Sequence, residues 1–122
     1  MIHSDRIEDL WQAYQSGLKS IEKGFDKAKK FTAAAYDKWL MYQGKPQKYG
    51  LQIVPDGQCL RLWDVDPSTT DDERAKWSVP SLQELHKNAS AASEQFDMSK
   101  VDMELKPQWL KDAVKRWHSG QD

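Results

Sequence analysis

The sequence predicts a mainly α-helical chain carrying one small β-hairpin, an α+β arrangement with helices on both sides of a central two-stranded element. Three observations predict it. Apolar residues from Ile7 to Trp39 recur at alternating steps of four and three. Pro55-Asp56-Gly57 separates two short apolar runs. Two helix-capping boxes and a proline-led helix follow in the second half.

The first stripe comprises Ile7, Trp11, Tyr14, Leu18, Ile21, Phe25, Ala28, Thr32, Ala35 and Trp39, with Ser4 as the expected N-cap and Asp5 in the first turn. As one helix it would run about 55 Å. Either it breaks near Gly17 or Gly24 into an antiparallel hairpin, with residues 23–26 favoured, or it stays whole and pairs with a second copy. Gly44 and Pro46 end this segment, so residues 1–43 form the helical part.

Residues 44–66 form a turn and a hairpin. Gln47–Val54 opens as a turn and becomes one strand, and Cys59–Val65 gives the other, with Leu60 and Leu62 on one face. Cys59, the only cysteine, is expected as a small buried hydrophobe in that strand. A lone hairpin is marginal in water, so it must pack on helices. Residues 70–120 form three shorter helices. Thr70 with Glu73, and Ser81 with Glu84, cap the first two. Pro107 opens the last, whose apolar face is Trp109, Ala113 and Trp117, and Gly120 ends it. Residues 96–104 read as irregular. The whole of 1–122 is expected to be one domain.

Composition narrows the function. Net charge is −1 with 30% charged residues, so no global field favours nucleic acid or an anionic membrane. Charge is nonetheless uneven: residues 1–50 carry nine Lys/Arg against six Asp/Glu, and residues 51–75 carry two against six. No long apolar run suggests a membrane span, and no apolar leader opens the chain, so a reducing cytoplasmic setting is expected. One cysteine excludes a disulfide framework and a zinc pattern. The acidic run from Asp64 starts like a calcium loop, then places Thr69 where a glycine is needed and Ala75 where a bidentate Glu is needed. Metal ligands and cofactors are therefore not expected. His3, His86 and His118 form no readable triad.

Gly44–Gln52 concentrates two amides, a phenol and two glycines at a helix-to-strand turn. Such groups suit ligand contact, and equally suit the satisfaction of loop backbone. Ala35–Leu40, Gly44-Lys45-Pro46-Gln47-Lys48-Tyr49-Gly50-Leu51-Gln52, Asp71-Asp72-Glu73-Arg74 and Val79-Pro80-Ser81-Leu82 together resemble the hallmark of an uncharacterised bacterial family. That family is marked by Gly-x-Pro-Gln-x-Tyr-Gly-x-Gln followed by Asp-x-x-Arg and Leu-Pro-x-Leu. The resemblance covers about residues 33–87, and Leu51 and Lys38 depart from the usual Thr and Arg. It implies that Gln47, Tyr49, Gln52 and Arg74 gather at one place, and it implies no activity.

Two functions follow as expectations. The first is a pocket for a small polar or anionic ligand, bound by Gln47 and Gln52 and walled by Trp39 and Trp63. Any catalysis there would use Tyr49 as proton donor and Arg74 as charge stabiliser. The second is a non-catalytic interaction module of the accessory, immunity or counter-defence kind, or a homodimer. It would present Trp11, Tyr14, Trp109 and Trp117 to a protein partner.

Overall fold

The computed structural model describes the backbone of residues 2–119 and the side chains of residues 7–119. The long stripe does break. Helix α1 spans Ile2–Glu22 and helix α2 spans Ala28–Met41. Ser4 therefore lies inside α1 rather than at its cap, and its side chain is outside the described residues. Three contacts fix the two helices as antiparallel: Trp11 meets Trp39 at 4.6 Å between ring centroids, Tyr14 meets Tyr36 at 4.8 Å, and Gly17 sits against Thr32. A Cβ on Gly17 would collide with the Thr32 hydroxyl, which is itself tied back to the Ala28 carbonyl at 2.6 Å. Gly17 thus leaves the helix unbroken and lets the two backbones approach.

The break comes at Gly24. Its φ of +96° is open to glycine at little cost, and its N–H donates to the Ile21 carbonyl while that of Phe25 donates to Ser20. This paired bonding closes the end of α1. Gly44 ends α2 the same way, with φ +75° and bonds from Gly44 to Met41 and from Lys45 to Leu40.

Strands β1 (Ile53–Pro55) and β2 (Leu60–Leu62) pair antiparallel, with Ile53 opposite Leu62 and Pro55 opposite Leu60. The Asp56 carboxylate closes their turn by accepting from the Gln58 and Cys59 N–H groups, each at 2.8 Å. Cys59 belongs to this turn and is exposed, which corrects its expected burial: the ladder starts one residue later. Gln47 adds a single parallel bridge to Val65.

Helices α3 (Asp71–Lys76), α4 (Leu82–Gln95) and α5 (Gln108–His118) complete the chain. Thr70 and Ser81 cap α3 and α4 through bonds from the Glu73 and Glu84 N–H groups, as the capping boxes predict. Two 3₁₀ turns occupy the stretch read as irregular. Gly120 lies outside the described residues.

The hairpin region separates two cores. On one side Leu62 packs with Ala33, Tyr49, Val79, Leu85 and Ala89. On the other, Val54 and Trp63 pack with Met41, Leu110, Ala113 and Trp117. Trp117 and Trp109 meet Trp63 edge-on at 5.8 and 5.2 Å. The apolar face of α5 is therefore consumed inside the chain, with Trp117 buried and Trp109 half-buried, rather than offered outward. A hairpin this small needs cover on both faces, and α5 supplies one of them. Among the described residues no helix is long and apolar enough to cross a membrane.

Candidate functional site

The Gly44–Gln52 turn is organised around a residue that the sequence reading did not select. Asp37, on the buried face of α2, accepts four backbone N–H bonds: from Lys48 and Tyr49 at Oδ1 (2.9 and 2.8 Å), and from Gly50 and Leu51 at Oδ2 (3.1 and 3.0 Å). Four successive amides converging on one carboxylate form an anion nest, and the chain fills it with its own side chain. Burial pushes the Asp37 carboxyl up from its ordinary range, and the four N–H bonds pull against that shift. A signal was present in the sequence. Asp37 stands four residues after Ala33 and four before Met41, so it shares their helix face.

Gln47 is fully buried. Its Nε2 donates to the carbonyls of Gln52 (3.0 Å) and Trp63 (2.8 Å), and its Oε1 accepts the Gln52 N–H at 2.8 Å. Its own backbone bridges Asp64 and Asp66. The Gln52 side chain donates to the Ala34 carbonyl at 3.2 Å. Tyr49 is buried in the first core, its ring 5.8 Å from that of Trp77, and burial keeps its hydroxyl protonated well beyond the usual range. Its carbonyl accepts Nε of Arg74 at 2.7 Å. The four residues fall into two bonded pairs, Gln47 with Gln52 and Arg74 with the Tyr49 carbonyl, each made through backbone groups.

The expected pocket wall divides. Trp39 lies between Trp11 and Tyr36 in the helical hairpin. Trp63 lines a cavity of about 260 Å³, with Arg61, Arg74, Asp66, Leu82 and His86 among its other walls. Arg74 is only 2% exposed. Its Nη1 reaches the Thr69 carbonyl (3.3 Å) and Asp71 (2.9 Å), while Nη2 makes no hydrogen bond among the described residues. Every fully enclosed side-chain nitrogen or oxygen among those residues has a partner. Nη2 is therefore not sealed in, and it has access to solvent. The Arg61 guanidinium carbon lies over the Trp117 ring, 3.8 Å from its centroid. Among the described residues Arg61 bonds through Nε alone, to the Leu62 carbonyl at 3.4 Å.

The two carboxylates of this cavity are already engaged. Asp64 pairs with Arg116 and accepts Nε1 of Trp117 at 3.1 Å. Asp66 accepts both the N–H and the hydroxyl of Ser68, which hold its carboxyl below the usual range. His86 is the second wall that sequence spacing could not supply, because only the packing of α4 on β2 brings it near Arg74. A neighbouring cleft of about 580 Å³ lies across the 66–69 loop, lined by Tyr36, Leu40, Lys45, Lys48 and Glu73 among others. There Lys48 and Glu73 pair at 3.1 Å. No group of three or more His, Cys, Asp or Glu among the described residues is placed to hold a metal. No protein-family model, curated protein or solved structure matches the chain.

Proposed function

We propose that this chain is a small-ligand-binding protein whose cavity at Arg74 takes a compact anion, a carboxylate or a phosphate group. One observation carries this reading: Arg74 is buried at the cavity wall with Nη2 unspent. A buried guanidinium with a free N–H edge grips an oxyanion with geometry that a lysine lacks. Charge supports the sign. Arg61 and Arg74 keep open N–H groups, while Asp64 is paired with Arg116, and Asp66, still a carboxylate, is bonded to Ser68; Arg74 itself spends Nη1 on Asp71. Leu62, Trp63 and Leu82 supply an apolar wall, a common pocket composition.

The reading is of binding without chemistry. Tyr49 is buried in the core and held protonated, a poor proton donor for a ligand in that cavity. A place in the bacterial family marked by Gly-x-Pro-Gln-x-Tyr-Gly-x-Gln is part of the same proposal. Its motif residues would then be the scaffold of the cavity rather than its lining. A cytoplasmic setting is proposed with it.

Thermal unfolding with inorganic phosphate and with benzoate tests this. A Kd of about 1 mM gives roughly 1.4 kcal/mol of stabilisation at about 10 mM ligand, a Tm rise of a few degrees. His86→Ala, at an exposed side chain of the cavity wall, should keep the unliganded Tm within about a degree and cut the ligand-induced rise; Arg61→Gln should also cut the rise, and lower the unliganded Tm by a few degrees through loss of its contact with Trp117. Unchanged Tm with both ligands, or an equal rise in both variants, removes the cavity as the site.

A further inference from the structure

The α1–α2 tip carries a feature that the cavity does not use. Phe25 is 63% exposed and Phe31 is 65% exposed. Phe25 occupies the position after the left-handed Gly24, where an apolar residue usually folds back on the helix it ends. Here it stays in solvent. The turn is open at Gly24, where an added Cβ meets nothing within 4 Å. Its charge is one-sided. Residues 19–31 hold Lys19, Lys23, Lys27, Lys29 and Lys30 against Glu22 and Asp26, so five minus two leaves +3 on a chain whose total is −1. Of the two acids, Asp26 already faces Lys29 at 3.9 Å.

We infer that this tip docks on an anionic lipid surface, with Phe25 and Phe31 entering the headgroup boundary and the lysines facing the phosphates. The match of charge favours that occupant. Exposed rings need no preformed groove to enter a flat interface, and lysine stems let their ammonium groups stay at headgroup level. That no helix among the described residues could cross a membrane does not bear on this, because lying on a membrane and crossing it require different segments. Three net positive charges give roughly a hundredfold preference for anionic over neutral vesicles at low salt. Two aromatic side chains leave the attachment reversible.

Co-sedimentation with phosphatidylglycerol–phosphatidylcholine vesicles, and with phosphatidylcholine alone, tests the inference. The expected result is binding to the anionic vesicles that falls steeply as salt is raised past the range where surface charges are screened. Phe25→Ser with Phe31→Ser should weaken it at least tenfold. Lys23→Glu with Lys27→Glu should abolish it. Circular dichroism checks that both variants keep their helices, and these residues are exposed enough to be replaced without loss of fold. No binding to either vesicle overturns the inference and makes an acidic protein groove the next occupant to test. Binding that ignores the phenylalanine changes, or that is equal for neutral vesicles, overturns it as well.

Discussion

Helices α1 and α2 end in the same backbone device and lead into opposite kinds of loop. Gly24 and Gly44 both take a positive φ, and the residues after them, Phe25 and Lys45, both bond back to a carbonyl five residues earlier. After Gly24 the chain makes a short solvent-facing turn and leaves a phenylalanine exposed. After Gly44 it wraps four amides around Asp37, and the Lys45 carbonyl accepts Nε1 of Trp63 at 2.7 Å. The cap stops the helix; it does not determine the loop that follows. What shapes the second loop is a buried carboxylate, because four amides in the interior must each find an acceptor.

The largest expected effect breaks this contrast. Asp37→Ala leaves four amides without their acceptor, and roughly 3–5 kcal/mol of stability should go, read as the shift in denaturant midpoint. A loss below about 1 kcal/mol would mean that water or a neighbour replaces the carboxylate, and the hub would lose its standing. The cavity reading weakens with it, since Arg74 is anchored on the Tyr49 carbonyl of that loop.

A smaller effect sharpens the contrast. Gly24→Ala and Gly44→Ala each force a Cβ into the left-handed region, and neither Cβ would clash, the nearest atom to Gly44 being Trp109 Cβ at 3.6 Å. Each substitution should cost about 1 kcal/mol despite the different loops. Markedly unequal costs, measured by chemical denaturation, would show that tertiary packing and not the cap sets the local energy.

The smallest effect concerns the hairpin turn, where a carboxylate holds two amides near the surface. Burial alone would raise the Asp56 carboxyl, but the Cys59 and Gln58 N–H bonds outweigh it and hold the group below its usual range. A lowered folded value means that the unfolded chain binds the proton more readily. The stabilisation is present above about pH 4 and is lost as the pH falls through the folded value. Asp56→Asn should flatten the acid limb of stability against pH by a fraction of a kcal/mol. An unaltered acid limb would remove Asp56 as its source.

Much of the fold was legible because its signals are local. The four-three stripe, the Gly24 and Gly44 stops, the Pro55-Asp56-Gly57 turn and the two capping boxes each act within a few residues, so the chain spells them out. The expectation that Gln47, Tyr49, Gln52 and Arg74 gather came through resemblance, and the structure bonds them as two pairs; the residue that organises the turn, Asp37, was visible only as a polar member of an apolar helix face.

The sequence by itself determined where α2 ends, where α3 and α4 are capped and where the hairpin turns, and that a break or a partner was needed for the long stripe; the start of α1 and the span of the second strand it missed. The tertiary structure decided the rest. It chose the break over pairing, spent the Trp109–Trp117 face on Trp63, filled the anion nest with Asp37, and brought His86 and Arg61 to the cavity beside Arg74. The physical reason is range. Caps and turns are satisfied by atoms a few residues away, whereas a buried polar group takes its partner from whatever segment packing brings near, and no spacing in the chain encodes that.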